Sequence, residues 1–382
     1  MKNKNLYIFN CDCEMAIANG GKFYMPPSNV KKMMRDLAYL PAYLGEDGDC
    51  VLVEEKLAVE NNLQVDCKAI LLDELSGYPE KLVGAPWGMS PKMCHWMTER
   101  CLGDEWQLAQ KEWYSRRNAC EALLFLAKNN IVAHDFTIPY ICNSLEEVID
   151  KARHGSWLVK APWSSSGKGL LRLKDGVSDK EGEWIKGVLK KQGYVMLECF
   201  LDKVEDFAME FRATEQGIIF IGWSSFLTGE YGEYRDNYVG AQSNIENHLA
   251  SLLGDDILKQ LLVYMPTVLQ KIYPTYRGYL GVDMMAYRDE KGVVRVQPCV
   301  EINLRCNMGI VALYLSSKYL DVCTKGEFTI TFHSRQGEAL KEHQRLCQEF
   351  PAVYKNNRIK SGYIALTPVS ETTQFVASLR CY

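Results

Sequence analysis

The chain has 382 residues, a formal net charge of −4 and 47% apolar residues, enough for a sizeable core in two or three packed units. That balance excludes a disordered chain and gives no general attraction to nucleic acid or to an anionic membrane. Fourteen cysteines, with the first apolar run broken at Asn10-Cys11-Asp12 before it reaches signal-peptide length, read as reduced thiols of a cytoplasmic protein. No stretch approaches bilayer-spanning length, and the pair Cys11 and Cys13 lacks a second pair at zinc-site spacing.

Leu6-Tyr7-Ile8-Phe9 reads as a buried first strand, and Ser28 as the N-cap of a helix over about 29–40. Cys50–Val53 and Ala69–Leu72 read as further strands, and Trp87–Leu126 as largely helical. Alternating strands and helices predict a small open α/β domain over residues 1–114, closing near Trp113–Asn118. After a connector over Ile131–Pro139 comes a helix from Ser144 to His154, with Glu146 and Glu147 where the helix dipole favours them. A strand, Trp157–Lys160, leads through the glycine-bearing loop Ala161–Gly169 into a second strand, Leu170–Leu173. A helix over Asp179–Lys191 and a strand over Tyr194–Glu198 follow. Phe207–Ser225 alternates like antiparallel strands, and one helix covers Asn247–Tyr273. The last clear elements are strands Tyr279–Tyr287 and Val293–Ile302, joined by the polar turn Arg288–Gly292. There is no internal repeat and no low-complexity tract.

Three groups of residues carry chemistry. The loop Ser164-Ser165-Ser166-Gly167-Lys168-Gly169 offers small residues, hydroxyls and an ammonium, the donors that cradle phosphate. It lacks Walker A spacing and runs into a strand; the plain alternative is a solvated hairpin. Lys160 adds a second positive charge on the strand before it. Glu301 and Asn303 are two apart, so they share a strand face, and a hairpin would bring Asp283 to the same face with Arg305 beside them. Such oxygen ligands suit Mg²⁺; an exposed polar sheet face is the other reading. Between these groups, Val195–Leu201 can offer backbone groups to a base, with Glu198 at its centre and Glu205 or Asp206 downstream for ribose hydroxyls.

In this order, the groups resemble the ATP-grasp superfamily, which includes D-alanine–D-alanine ligase and biotin carboxylase. The matching run is Lys160 with Ser164–Gly169, then Glu198–Leu201, then Asp283, then Glu301-x-Asn303-x-Arg305, spanning roughly residues 115–315. The resemblance implies an α/β (α+β ATP-grasp) fold, with an ATP-grasp domain over residues 115–382 and a mobile lid subdomain over about 141–203. By analogy, ATP is bound by Lys160, Ser164, Ser165, Ser166, Gly167, Lys168 and Gly169 at the phosphates, by Glu198, Phe200 and Leu201 at the adenine, and by Asp206 in preference to Glu205 at the ribose. Asp283, Glu301 and Asn303 hold one or two Mg²⁺ ions, while Arg305 and Lys168 act in catalysis. The family's basic residue before the lid, commonly lysine, is here Arg116 or Arg117, and Arg117 is carried as the candidate.

The implied reaction is ATP-dependent activation of a small-molecule carboxylate as an acylphosphate, followed by attack of an amine or similar nucleophile to form a C–N bond. The phosphoryl-transfer barrier is one of charge and alignment, which fixed cations and metal ions meet. A small-molecule kinase and a non-catalytic nucleotide-binding protein are the alternatives; a serine or cysteine hydrolase has no recognisable nucleophile–histidine motif to support it. No nucleic acid or membrane partner is implied, and a homodimer fits the resemblance. Arg235, in the tyrosine- and glycine-rich segment Leu227–Gly240, offers a contact for phosphate or a substrate carboxylate, against the reading of a plain loop. Asp12 and Glu14, after the first strand, are positioned to meet an amine, against the readings of a helix cap or plain solvation.

Overall fold

The computed structural model describes residues 3–131, 136–164, 169–229 and 234–382. Three sheets organise them.

The N-terminal sheet is built from β1 (Lys4–Ile8), β2 (Cys50–Leu52), β3 (Lys68–Ile70) and β4 (Leu82–Pro86), all parallel in the order β3-β2-β1-β4. Helices α1 (Cys13–Asn19), α2 (Ser28–Asp36) and α3 (Pro91–Thr98) accompany it. Strand β4 does not stand out in the sequence because Gly84 and Pro86 read as loop; the short neighbour β1 supplies its pairing. Ser28 is the first residue of α2 and makes no capping bond, and the helix ends at Asp36 rather than near residue 40. The stretch read as one helical region is divided into α3, a 3-10 segment at Leu108–Tyr114 and α4 (Arg117–Lys128).

The second sheet contains β5 (Tyr140–Cys142), β6 (Ser156–Lys160), β7 (Leu170–Lys174) and β8 (Val195–Cys199), antiparallel in the order β5-β8-β6-β7. Two helices pack on it, α5 (Leu145–Lys151) and α6 (Asp179–Gln192). Ser144 caps α5 by accepting from the Glu147 N–H at 3.2 Å. Ser178 and Glu181 form a reciprocal capping box on α6, and Gly193 ends that helix in the left-handed conformation at φ 87°.

The third sheet has nine strands. It uses β9 (Asp202–Thr214), β10 (Gly217–Thr228), β11 (Tyr234–Val239), β12 (Gly278–Arg288) and β13 (Val294–Asn303). Its further strands, absent from the sequence reading, are β14 (Gly326–Phe332), β15 (Val353–Lys355), β16 (Arg358–Ala365) and β17 (Phe375–Cys381). The order is β13-β12-β9-β10-β11-β14-β17-β16-β15. Between β11 and β12 the chain forms α7 (Gln242–Leu253) and α8 (Asp255–Ile272), two helices where one was expected, because Gly254 at φ 93° breaks the rod. Helix α9 (Met308–Tyr314) follows β13, and α10 (Glu338–Glu349) precedes β15.

Strand pleating separates the two faces of this sheet. Phe207, Met209, Phe211, Trp223, Leu280, Val282 and Met284 turn toward Leu249, Leu261 and Met265 of α7 and α8 and toward α4, forming one core. The opposite face packs on Ile310, Val311 and Leu315 from the α9 region and on Tyr7, Phe9 and Trp87 of the N-terminal unit. Trp223 is fully buried in the first core. Its replacement by alanine should cost about 3–5 kcal/mol of stability, a loss to be read from urea denaturation midpoints at constant slope.

Candidate active site

The pleat that buries Val282 and Met284 turns Gly281 and Asp283 to the other face. Pairing of β12 with β13 sets Asp283 directly opposite Glu301, and Gly281 opposite Asn303. The three predicted side chains therefore meet: the Asn303 amide donates to Asp283 Oδ2 at 2.9 Å. Arg305, two residues past the strand, donates from Nη2 to Asn303 Oδ1 at 3.2 Å and from Nε to Glu14 Oε1 at 2.7 Å. Glu14 thus ties the N-terminal unit to this cluster. Asp12 is paired instead with Lys92 Nζ at 2.6 Å.

Two arginines stand at the start of α4, and the structure separates them. Arg116 is buried and lies 2.9 Å from Glu301 Oε1 through Nη2. Its Nη1 donates to the Ala161 carbonyl at 2.8 Å and to the Ser164 hydroxyl, at the entrance of the glycine-bearing loop. Arg117 stacks over the Tyr194 ring, 4.4 Å from its centroid. Sequence alone gave no means of choosing between them, because successive residues point to different sides of a helix only once its axis is placed.

From the second sheet, Lys160 on β6 is buried and forms an ion pair with Glu198 Oε2 on β8 at 2.7 Å. After β8, the Phe200 N–H is already engaged by the Ser156 carbonyl at 2.9 Å, and the Phe200 ring lies under the Arg172 guanidinium at 3.7 Å. Leu201 is half-buried beside it. Gly169 leaves no room for a side chain, since a Cβ there would overlap Ser164. Ser165, Ser166, Gly167 and Lys168 lie outside the described residues.

On β9, Asp206 shares the face of Asp283, two residues from Ala208, which pairs with Asp283. It accepts from Lys203 Nζ and Thr228 Oγ1, both at 2.6 Å. Glu205 belongs to the other face, bonded to His248 of α7 at 2.6 Å and to Ser225 at 3.2 Å. Arg235 is exposed on β11.

One acid at the site escaped the sequence reading. Glu210 on β9 is 1% exposed and accepts from Asn307 Nδ2 at 2.7 Å and Ser224 Oγ at 2.9 Å. Its signal was present: a charge inside the apolar run Phe207–Phe211. Burial pushes its carboxyl up to about 7, against the lowering effect of those two bonds and of Arg305. Burial likewise raises Asp283 to about 8, reinforced by the charges of Glu301 and Glu210.

The structure thus brings a parallel α/β unit, a small antiparallel sheet carrying a lysine–glutamate pair, and a large sheet carrying an acid–amide cluster to one place, the architecture of ATP-grasp enzymes. The chain has that fold. Solved structures that share it include an N5-carboxyaminoimidazole ribonucleotide synthetase in complex with ADP (11% identity, 100% of this chain and 93% of that chain, TM-score 0.51). They also include an L-amino acid ligase from Bacillus licheniformis (13%, 100% and 94%, TM-score 0.51). A third is the biotin carboxylase domain of the Hydrogenobacter thermophilus 2-oxoglutarate carboxylase, bound to MgADP, ADP and bicarbonate (12%, 99% and 86%, TM-score 0.54). These structural neighbours are ATP-grasp ligases, and at such identities they establish a shared fold. No protein-family model matches the sequence, and no curated protein sequence matches it.

The raised carboxyls fix the sign of a pH effect. A group whose folded pKa lies above its unfolded value stabilises the protein fully below the unfolded value, near 4, and loses that contribution as pH rises through the folded one. Asp283, at about 8, and Glu210, at about 7, should therefore make the ligand-free protein less stable as pH climbs from about 5 to 8. Asp283→Asn should flatten that slope, which melting temperatures across this range would reveal.

Proposed function

We propose that the chain is an ATP- and magnesium-dependent, ADP-forming ligase, which activates a small-molecule carboxylate as an acylphosphate and joins it to an amine or similar nucleophile. One observation carries this reading: Asp283, Glu301 and Asn303 converge on one sheet face with Arg116 and Arg305 against them. Two carboxylates and an amide oxygen are a donor set suited to Mg²⁺, whose charge would favour the ionised form of Asp283 that burial opposes. Among the described residues no group of three or more His, Cys, Asp or Glu could hold a metal alone. An ion held at this cluster would be shared with phosphate oxygens and water, as Mg²⁺ prefers. When bound, the ion supplies charge neutralisation for the phosphate oxygens.

The chain's own residues supply the rest. Lys160 holds phosphate, and Glu198 meets the adenine amino group beside Leu201. Arg116, which contacts both the entrance of the glycine-bearing loop and Glu301, is a better-supported phosphate contact than Arg117. Asp206, on the site face, is better supported for the ribose than Glu205. Lys168 and Arg305 stabilise the charge that builds up during transfer. The substrate carboxylate attacks the γ-phosphorus, the bond to the bridging oxygen breaks and ADP departs. The amine nitrogen then attacks the acyl carbon, losing a proton as phosphate leaves. Closure of the 141–203 region would shield the acylphosphate from water. A cytoplasmic location belongs to the same proposal, in keeping with fourteen free thiols. Among the described residues, no helix is long and apolar enough to cross a membrane.

Mg-ATP should raise the melting temperature of the wild-type protein, since a ligand bound only by the native state stabilises it. Lys160→Ala should weaken nucleotide binding, and Asp283→Ala or Glu301→Ala should abolish Mg-dependent turnover in a protein that still folds. ADP release screened against pools of carboxylates with amines tests the reaction itself. Hydroxamate formation with hydroxylamine marks a ligase, whereas a stable phosphorylated hydroxyl compound would replace this proposal with a kinase. Absence of any Mg-ATP shift would overturn it at the first step.

Arg116→Ala should weaken ATP binding by about tenfold, the worth of one lost charge-assisted contact, with Arg116→Lys recovering only part of it, since an ammonium cannot meet Ala161, Ser164 and Glu301 together. Arg117→Ala should change it much less. Calorimetric titration of Mg-AMP-PNP into the two variants would compare them directly.

A further inference from the structure

The chain leaves β13 at Asn303 and starts α9 only a few residues later, with Asn307 as its cap. Whatever fixes Asn307 therefore limits where Asn303 and Arg305 can sit. Asn307 has two bonds of opposite kind. Its Oδ1 accepts from the Ile310 N–H at 2.9 Å, capping α9, and its Nδ2 donates to Glu210 Oε2 at 2.7 Å. Glu210 comes from another strand, and its second oxygen is held by Ser224 at 2.9 Å. The carboxylate sits in a socket with no spare room. Gly281, its partner across the β9–β12 ladder, and Gly309, in the first turn of α9, each lack a side chain that would overlap it. The other side of the segment is anchored too, because the Cys306 N–H donates to the Trp87 carbonyl at 2.8 Å.

We propose that Glu210 is a positioning residue, which sets the Asn303–Asn307 segment through Asn307 and so aligns Asn303 and Arg305 for the metal–phosphate end of the nucleotide. The inference rests on the ATP-site reading above. Both Glu210 oxygens are taken by protein donors, Asn307 and Ser224. A carboxylate enclosed to this degree costs stability unless its bonds are kept, and the bond to Asn307 is the one that leads to the site.

The test uses the full chain, with Mg-AMP-PNP and adenosine as separate titrants in calorimetry and thermal melts as the folding control. Asn307→Asp keeps the cap on Ile310 but turns the donor facing Glu210 into a carboxylate. It should weaken Mg-AMP-PNP binding on the order of tenfold, the usual scale for losing a support behind a metal site, and leave adenosine affinity unchanged. Glu210→Gln keeps an acceptor for Asn307 and should bind like the wild type. Combining Glu210→Gln with Asn307→Asp reverses the polarity of the bond, because the introduced amide can donate to the introduced carboxylate, and should restore Mg-AMP-PNP binding. If Asn307→Asp does not fold, Asn307→Ser keeps a capping oxygen, replaces the amide that donates to Glu210 with a shorter hydroxyl and should show the same selective loss.

A purely structural role would lower the melting temperature without changing the ratio of Mg-AMP-PNP to adenosine affinity, and that result overturns the proposal. So does failure of the double variant to recover. Wild-type protein that binds no Mg-AMP-PNP overturns the ATP-site reading and this inference with it. Wild-type binding that Asn307→Asp and Asn307→Ser leave unchanged overturns this inference alone.

Discussion

The register between β12 and β13 is the constraint on which the site depends. Side chains alternate across a strand, so the core decides where the acids go. Leu280, Val282 and Met284 must face α7 and α8, and Gly281 and Asp283 then have no choice but the other face. Antiparallel pairing does the same for Glu301 and Asn303 and sets them against that pair. A slip of one residue would push Asp283 into the apolar core and leave Val282 in the site. The energy that holds the register is hydrophobic, while the groups it aligns are polar, so the acid cluster persists although it contributes little to its own placement.

Two arginines then join parts of the fold that sheet pairing leaves separate. Arg116 reaches from α4 to the second sheet at Ala161 and Ser164 and to the third at Glu301. Arg305 joins the third sheet to the N-terminal unit through Glu14. The planar, many-donor guanidinium makes such multiple contacts from one side chain, which an ammonium would meet with less geometric fidelity. At Arg116 the side chain bonds a carbonyl, a hydroxyl and a carboxylate together.

Much of this was legible in the sequence where a local pattern sets the structure. The strand–loop–strand around Ser164–Gly169 and the hairpin around Arg288–Gly292 have turn residues flanked by apolar runs, and β6, β7, β12 and β13 follow from them. The spacing of Glu301, Asn303 and Arg305 similarly fixed a shared face before any pairing was known. Other features depend on contacts distant in the chain. Strand β4 is recognisable by its pairing with β1, not by its composition. Gly254 could as easily sit inside a helix as break one, until α7 and α8 have surfaces to pack on. Strand β14 does carry an alternating pattern, in Glu327–Phe332, and β17 a short apolar run, Phe375–Ala377, so their omission was a failure to use a signal that was there. The bond from Glu210 to Asn307 spans 97 positions, and no spacing rule reaches that far.

The balance of charge at the cluster is what a binding site requires and a scaffold would avoid. Folding alone would replace a carboxyl raised to about 8, such as Asp283, with an apolar or amide group of similar size, because burial opposes its charge. Here burial acts on Asp283 and Glu210 together, and the nearby charge of Glu301 adds to the strain on Asp283. The arginines offset this only in part, since each also serves contacts elsewhere: Arg116 divides its donors among three acceptors, and Arg305 turns its Nε to Glu14. The result is a pocket of oxygen atoms that gains from any added positive charge. Under the proposed function, a divalent cation accompanied by phosphate would supply that charge and carry acceptors of its own for the arginines, so that one ligand would relieve the acids and satisfy the bases at once.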